Sequence, residues 1–410
     1  MTITELTGTP TLAQLRDHFG PILARIRAGA GERERDRRLP HDEIRALAEA
    51  GFGRLRLPVA DGGFGVSYAD YIELCIDIAA ADSNITQALR GHSGFVDAFL
   101  LVRPDDAFRR FFVEEVAAGA LIGNAETERT GSYGKPSSTL RTIDGRLLLN
   151  GTKYYTTGTL FAGWTWVTAA YERDDQETVV ASVPVPTRSE GVTLLDDWDG
   201  FGQRLTASGT AHFIDVEVNE RFVVPREDKL TLIWPIYQLN LLATLVGIAE
   251  AATADIVDFV RQSKRNAFNP SVPLRQDDAA LATVGEARGR TTLARSAIVT
   301  AAATVGEVLE RQHAGLAQEH EFDEADASVA QLWQLVIDQV LTVTSRVFEV
   351  GGASATASAR AFDRHWRNAR TVASNNPSWH STRAVGDWVL NDVPVKAFLI
   401  NALTGEPHQT

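Results

Sequence analysis

Residues 149–158 read LNGTKYYTTG, and they lie inside the segment whose pattern differs from the rest of the chain. In the first 120 residues, apolar side chains such as Leu12, Leu15 and Phe19 recur at the spacing of an amphipathic helix. From residue 121 to residue 225 the period becomes two and turns are frequent, as in a series of strands. The helical spacing then returns. This order predicts an α+β fold with a β-domain between two helical blocks.

The changes of pattern also give the expected domain boundaries. Residues 1–120 are predicted to form an N-terminal helical domain, residues 121–228 a central β-domain, and residues 229–410 a C-terminal helical domain. Strands are predicted at residues 179–185, 192–195 and 211–218. C-terminal helices are predicted at residues 230–262, 279–317 and 325–350, with a last helix within residues 381–403.

Composition narrows the class of protein. The chain has 410 residues and a formal net charge of −13, which argues against binding nucleic acid or an anionic membrane. Its single cysteine, Cys75, excludes a disulfide within the chain and cysteine-type metal sites. No export signal is visible at the N-terminus, so we expect a cytoplasmic protein.

One stretch has the length of a membrane span. Residues 230–249 carry no charge over twenty positions. Pro235, Gln238 and Asn240 interrupt this stretch, and their polar groups would be costly in lipid. We therefore expect a helix buried in the protein core.

A series of motifs runs along nearly the whole chain in a fixed order. They are a loop from Pro58 through Gly62-Gly63-x-Gly65, residues 124–132 (NAETERTGS), residues 149–158, residues 197–210 (DWDGFGQRLTASGT), Arg265-x-x-Phe268 and Gly351-Gly352. Together they resemble the acyl-CoA dehydrogenase superfamily. The resemblance implies the acyl-CoA dehydrogenase-like fold, with an N-terminal helical domain, a barrel-like central β-domain and a C-terminal four-helix bundle. It also implies a homotetramer.

The resemblance further implies a flavin site. Thr157 aligns with the hydroxyl that approaches flavin N5 in the family, and Tyr155 and Trp198 supply aromatic area. Ser208 and Arg265 are the candidates for the flavin phosphate, and Asn124 would contact flavin or substrate. In the family, the residues aligned with Arg265 and Phe268 reach across a subunit boundary.

The catalytic base of a dehydrogenase is missing from this sequence. These enzymes use a glutamate to remove the α-proton of an acyl thioester. In the commonest branch it follows the two glycines, but no glutamate occurs between Gly351 and Gly405. A second branch places it early in the first C-terminal helix, where this chain has Tyr237 and Gln238. Neither known position therefore holds an acid.

Other motifs resemble the flavin-dependent monooxygenases of the same fold, such as dibenzothiophene monooxygenase and the amine and aminosugar N-hydroxylases. They are residues 91–95 (GHSGF), residues 123–125 (GNA) and residues 362–377 (FDRHWRNARTVASNNP). The resemblance implies a two-component enzyme that takes reduced FMN from a separate NAD(P)H:flavin reductase. Such enzymes add O₂ at flavin C4a to form a hydroperoxide, and pass one oxygen atom to the substrate in a site that excludes water.

The same resemblance suggests catalytic and pocket residues. His92 would line the pocket and donate to the peroxide or move a proton. Asn375 stands where relatives of the dibenzothiophene type have a histidine. Because an amide cannot exchange a proton near neutral pH, either His92 performs the acid–base work or the substrate needs none. The candidate pocket residues besides His92 are Phe95, Phe161, Trp164, Trp234 and Tyr237, and their rings hint at an aromatic or heteroaromatic substrate. The resemblance to the monooxygenases adds a sulfur- or amine-containing substrate.

The sequence leaves alternatives for both the cofactor and the reaction class. In the dehydrogenases, the motif that binds the adenine half of FAD has a glycine after Arg-x-x-Phe. In this chain Asn269-Pro270 follows instead, which favours FMN over FAD. One alternative function is an acyl-CoA dehydrogenase or oxidase with a non-standard base. Another is a protein that only binds a ligand, and the joint presence of Thr157, Trp198, Ser208 and Arg265 argues against it.

Overall fold

The computed structural model describes residues 6, 8–129, 135–172, 178–226, 231–266 and 269–397. The helices are α1 (Leu12–Asp36), α2 (His41–Glu49), α3 (Tyr68–Phe95), α4 (Ala107–Ala117), α5 (Ile233–Gln262), α6 (Asp278–His313), α7 (Glu319–Ala355), α8 (Asp363–Ala373) and α9 (Ser378–Asn391). The strands are β1 (Ile122–Ala125), β2 (Thr139–Ile143), β3 (Arg146–Lys153), β4 (Trp164–Glu172), β5 (Val179–Pro186), β6 (Val192–Leu194), β7 (Ala211–Glu217) and β8 (Val224–Pro225). The predicted α+β fold is confirmed.

Polar side chains start the N-terminal helices. Thr11 and Gln14 form a capping box at the start of α1. Ser67 accepts from the backbone N–H of Asp70 to cap α3, and Asp106 accepts from that of Arg109 to cap α4. Helix α2 begins after Pro40 and has two acidic residues, Asp42 and Glu43, in its first turn. These caps satisfy backbone donors that the helices themselves leave unpaired.

The middle of helix α3 is kinked at Asp82. Its backbone leaves the helical region there, with φ −159° and ψ 109°. The Asp82 carboxylate accepts from the buried Arg33 guanidinium at 2.9 Å and from the Asn84 side-chain amide at 2.9 Å. Asn84 in turn accepts from the backbone N–H of Leu205 at 3.1 Å. The kink therefore fastens α3 to the loop that precedes β7.

Eight strands within the described residues form one mixed sheet. Its order is β6-β7-β3-β2-β4-β5-β8, and β1 pairs in parallel with β4. Alternate residues of β4 are buried, so one face covers the apolar core of this domain. The strands predicted at residues 179–185, 192–195 and 211–218 are confirmed as β5, β6 and β7.

The C-terminal helices surround α5, which is buried on nearly all sides. Both α5 and α6 are long and apolar enough to cross a bilayer by length and composition, but 78% of the most apolar window of α5 is buried inside the protein. The part of this stretch that lies in α5, from Ile233 onward, is thus a core helix, as predicted. The sequence analysis did not foresee α8, because its polar residues weaken the helical pattern.

Candidate active site

A chain of hydroxyl groups lies where two loops of the β-domain meet. The Thr157 and Ser208 hydroxyl oxygens are 2.7 Å apart, and Ser208 is also 2.7 Å from the Thr206 hydroxyl. Thr206 donates to the Gln203 carbonyl at 3.0 Å. The structure thus brings two predicted flavin residues, Thr157 and Ser208, together.

Strand pairing explains why these loops meet. Strands β3 and β7 are antiparallel, with Lys153 opposite Ala211, so the segment after β3 runs beside the segment before β7. The backbone N–H of Thr156 donates to the Gly209 carbonyl at 3.1 Å. Gly158, at φ +80°, lies so close to α3 that a Cβ atom would be 2.0 Å from the Ala88 carbonyl oxygen. A glycine is therefore required where this loop contacts α3.

Two aromatic rings lie at the outer side of this junction. Tyr155 and Trp198 pack edge to face with 5.9 Å between ring centroids, and Tyr155 is half exposed. The Trp198 indole donates to the Gly202 carbonyl at 3.1 Å, and Arg37 donates to the Trp198 carbonyl at 2.8 Å. The two predicted aromatic flavin residues are thus neighbours, and Trp198 is fixed from both sides.

Asn124 presents a buried polar atom to the junction of β1 and α3. Its Oδ1 has no hydrogen-bond partner among the described residues. Gly91 of α3 lies directly beside it, since a Cβ atom at position 91 would come within 2.9 Å of this oxygen. A buried acceptor without a donor is costly, so this atom fits a donor group on a bound molecule.

His92 lies in the last turn of α3 with both ring nitrogens engaged by backbone. The backbone N–H of Ile122 donates to Nδ1 at 3.3 Å, so Nε2 carries the proton and donates to the Gly53 carbonyl at 2.7 Å. Burial lowers the pKa of His92 to about 4. The structure therefore differs from the expectation that His92 moves a proton. As placed, the neutral ring joins the turn at Gly53 to the start of β1.

Tyr237 of α5 contacts the same part of α3 from the opposite side. A Cβ atom at Gly94 would lie 2.5 Å from its ring carbon Cζ. The guanidinium carbon of Arg90 lies 5.1 Å from the centre of the Tyr237 ring, and the Arg90 Nε is buried without a partner among the described residues. Arg90 was not among the predicted site residues. Its sequence context could have singled it out, because it is the one Asp, Glu, Lys or Arg residue in residues 83–96.

Burial also acts on a carboxyl group beside this cluster. Glu126 follows β1, and burial raises its pKa even though the charges of Arg90, Arg226 and Lys153 oppose the shift. Lys153 is fully buried and donates to Glu128 at 2.5 Å. Burial disfavours the charged form of Glu128, but hydrogen bonds from Lys153 and Ser137 outweigh it and lower its pKa to about 2. Glu126 is thus a second residue that sequence reasoning missed.

The other predicted pocket residues lie in several places. Phe95 is buried in an aromatic cluster, with its ring centroid 5.3 Å from that of Trp166. Phe161 packs edge to face on His41 at 4.9 Å, and the Trp164 indole donates to Glu115 at 2.8 Å. Trp234, next to Pro235 in the first turn of α5, packs against two hydrophobic clusters. Among the predicted pocket residues that lie outside α3, Tyr237 contacts the α3 segment that carries His92.

Asn375 and Arg265 are both exposed. Asn375 follows α8, and its backbone N–H donates to the Val372 carbonyl. Its neighbour Asn376 donates to the side-chain oxygen of Gln238 at 3.2 Å, a contact between α5 and the α8–α9 turn that sequence reasoning missed. Arg265 follows the end of α5 and makes no hydrogen bond to Ser208 within the described residues. Phe268 lies outside the described residues.

No metal site competes with an organic cofactor in this region. Across the residues that the structure describes, no group of three or more His, Cys, Asp or Glu side chains could hold a metal ion. The polar groups of the candidate site are the hydroxyls of Thr157 and Ser208, the amide of Asn124 and the guanidinium of Arg90, and aromatic rings lie beside them. This set suits a planar aromatic cofactor and a small organic molecule.

Two models of one protein family match the chain. The N-terminal domain of acyl-CoA dehydrogenase matches residues 9–120, and the C-terminal domain matches residues 239–376. Together they cover more than half of the sequence.

Curated relatives and solved structures match over nearly the full length. A probable FMNH₂-dependent monooxygenase, SfnC of Pseudomonas putida, is 29% identical over 91% of this chain and 95% of its own. The dibenzothiophene monooxygenase of Rhodococcus erythropolis is 28% identical, covering 91% and 92%. TdsC from Paenibacillus sp. A11-2, solved with FMN and indole, has a TM-score of 0.83 at 27% identity, covering 91% and 96%. Methanesulfinate monooxygenase MsuC from Pseudomonas fluorescens has a TM-score of 0.82 at 26% identity, covering 94% and 98%.

Proposed function

Because this chain belongs to the acyl-CoA dehydrogenase superfamily, in its branch of flavin-dependent monooxygenases, we propose that it is the oxygenase of a two-component system. It takes reduced FMN from a separate NAD(P)H:flavin reductase and uses O₂ to oxygenate a small substrate. The relatives named for dibenzothiophene and methanesulfinate support a sulfur-containing substrate.

The observation that carries the proposal is the environment of Gln238. This residue stands at a position where one dehydrogenase branch places its catalytic glutamate. Here a neutral amide occupies it, and its oxygen accepts a hydrogen bond from Asn376. An amide cannot remove a proton from an acyl thioester. The arrangement therefore favours a reaction that needs no base at this point.

The residues of the junction fit FMN. When bound, reduced FMN would supply the two electrons with which O₂ gives one oxygen atom to the substrate and releases the other as water. Thr157 would donate to the isoalloxazine edge, and Tyr155 and Trp198 would provide aromatic contact. Ser208 and the exposed Arg265 would hold the phosphate. The buried Oδ1 of Asn124, which lacks a donor among the described residues, supports a bound flavin or substrate at β1.

His92 and Asn375 take different parts in this proposal from those first expected. His92 is neutral and held by two backbone groups, so it positions the turn at Gly53 against β1 and closes this wall to water. Asn375 is exposed in the single chain. Its role at the flavin therefore depends on a segment or subunit that covers it.

Exposed apolar residues support a homotetramer. On α6, Leu281 and Leu293 are more than half exposed, and α7 exposes Leu335 to a similar degree. Exposed apolar side chains on these long helices are suited to packing against other subunits. Light scattering coupled to gel filtration should give a mass near four times that of one chain.

One observation favours a second candidate function, a dehydrogenase or oxidase of acyl thioesters with a non-standard base. Burial raises the pKa of Glu126, as a catalytic carboxyl requires. In this candidate Glu126 would remove the α-proton beside the flavin.

One stopped-flow experiment separates the two. The purified protein is mixed anaerobically with reduced FMN and then with oxygenated buffer, while the flavin spectrum is recorded. A monooxygenase should delay reoxidation well beyond that of free reduced FMN. Reoxidation at the rate of free flavin, together with bleaching of bound FAD by an acyl-CoA, would contradict the monooxygenase and favour Glu126 as a base.

A further inference from the structure

Arg90 differs from Arg33, Arg56 and Arg295 in its lack of a counter-ion among the described residues. Arg33 pairs with Asp82 at 2.9 Å, and Arg56 pairs with Asp97 at 2.6 Å. Arg295 is held by Glu250 and two further carboxylates. Within the part of the chain that the structure describes, Arg90 makes no ion pair and its buried Nε has no hydrogen-bond partner.

This lack is energetically unfavourable. Burial lowers the pKa of Arg90, yet a guanidinium stays charged at any ordinary pH. A buried N–H of a charged group without an acceptor is costly, and proteins normally pair it. The arrangement is therefore that of a group whose partner arrives with a ligand.

The surroundings of Arg90 give the ligand a place. The Tyr237 ring lies under the guanidinium at 5.1 Å, and such stacking holds the plane of the group while leaving its N–H edge for another partner. Gly91 and Gly94 follow on the same helix and bring it close to Asn124 and Tyr237, since Cβ atoms there would lie 2.9 Å and 2.5 Å from these side chains. Asn124 Oδ1 is the second polar atom here without a partner among the described residues.

The local charges tolerate an anion. The carboxylate whose charge acts on Arg90 is Glu126, and the two form no ion pair within the described residues. Lys153 and Arg226 add positive charge to the same carboxyl group. Lys153 forms an ion pair with Glu128 at 2.5 Å. Arg90, in contrast, has no ion-pair partner among the described residues.

We propose that Arg90 binds an acidic group of the substrate, a carboxylate or sulfinate, with two parallel hydrogen bonds. This inference rests on the proposed function and narrows its substrate class to small organic acids. A guanidinium matches the two oxygens of such a group in geometry as well as in charge. Neutral heteroaromatic molecules would leave the Arg90 charge buried and unpaired.

The test is equilibrium binding to the full-length protein saturated with oxidised FMN, measured by isothermal titration calorimetry. The probes are benzoate, methanesulfinate and benzamide, and benzamide is the neutral match of benzoate. The unchanged protein should bind both acids, and benzoate at least tenfold more tightly than benzamide. Equal binding of benzoate and benzamide, or no binding of either acid, would overturn the proposal without the need for any variant.

Variants then locate the effect. Arg90→Gln should weaken benzoate at least tenfold and leave benzamide and FMN affinities within threefold, and Arg90→Lys should fall in between. Arg110→Gln, an exposed arginine of α4 that pairs with Asp105, is the matched control and should change nothing. Loss of FMN binding in Arg90→Gln with the preference for benzoate intact would overturn the proposal and assign Arg90 to the flavin.

The outcome is separable from that of the proposed function. Acid binding is measured without turnover, so it does not depend on whether reduced FMN reacts slowly with O₂. A delayed flavin reoxidation combined with no preference for acids would remove this inference alone. A clear preference for acids combined with reoxidation at the rate of free flavin would remove the monooxygenase alone.

Discussion

The hydroxyl oxygens of Thr157 and Ser208 lie 2.7 Å apart, although they come from loops at the ends of different strands. Pairing of β3 with β7 brings the loops together, and Thr206 extends the chain of hydroxyls to the Gln203 carbonyl. Because the hydroxyls orient one another, Thr157 can offer a fixed group to a flavin. Their alignment makes the two residues one unit in the proposed site.

Thr157→Ala and Ser208→Ala should each weaken FMN binding about fivefold to tenfold, the loss of roughly one net hydrogen bond. The double variant should lose less than the product of the two, because the residues share a bond. Fluorescence titration of FMN gives the affinities. Thr157→Ser keeps the hydroxyl and is the control. Full additivity would show that the two hydroxyls act independently.

His92→Phe should lower the free energy of unfolding at pH 7 by about 2–3 kcal/mol, since it leaves the Gly53 carbonyl and the Ile122 N–H unpaired. The difference should shrink on acidification. The pKa of His92 is about 4 in the folded protein against an ordinary value of 6.5, so the unfolded chain binds more protons between these pH values.

Between pH 6.5 and pH 4 the free energy of unfolding of the wild-type protein falls as the pH falls. The loss that is due to His92 amounts to about 3 kcal/mol at the acid end. Urea unfolding of both proteins at pH 7 and near pH 4.5 measures the change. His365 has a lowered pKa too, but it is present in both proteins and cancels in the comparison. If the two proteins differ in free energy of unfolding by the same amount at both pH values, His92 takes up protons as readily in the folded state as in the unfolded chain.

Arg265→Ala should abolish measurable FMN binding, because the proposed site would lose the cation that holds the phosphate. Arg275→Ala, an exposed arginine in the following segment, is the control for a general change of charge. Equilibrium dialysis with FMN measures both. Unchanged affinity in Arg265→Ala would remove the phosphate assignment.

Gly94→Ala should lower the free energy of unfolding by about 1–3 kcal/mol, since the new Cβ would lie 2.5 Å from the Tyr237 ring. Gly289→Ala is the matched helical control. No atom lies within 4 Å of its Cβ position, so it should raise stability by about 0.5–1 kcal/mol through helix propensity. Urea unfolding measures both variants. A stabilised Gly94→Ala would mean that Tyr237 moves aside without cost.

Much of the fold could be predicted because it depends on local patterns. Alternation identified β5 and β7, and the apolar run at residues 230–249 identified the core of α5. Helix α8 escaped because its charged residues pair with partners distant in the chain, such as Arg367 with Glu34 at 2.9 Å. Its stability comes from tertiary contacts that no local spacing records.

The candidate site divides in the same way. The motif order around Thr157 and Ser208 predicts a flavin site, and the structure places their hydroxyl oxygens 2.7 Å apart. The sequence could not show that backbone groups occupy both nitrogens of His92, nor that Asn376 bonds to Gln238. Hydrogen-bond partners of this kind are set by the packing of distant segments.

The sequence alone predicts the alternation of helical and strand segments, the burial of α5, the superfamily and the absence of a glutamate at both known dehydrogenase base positions. These follow from periodicity and from residue types at fixed spacing. Only the tertiary structure decided which buried polar groups have partners. It joined His92 to Gly53 and left Arg90 over Tyr237 without a counter-ion among the described residues. The physical reason is that desolvation and pairing depend on what surrounds a side chain in space, and a sequence lists only its neighbours along the chain.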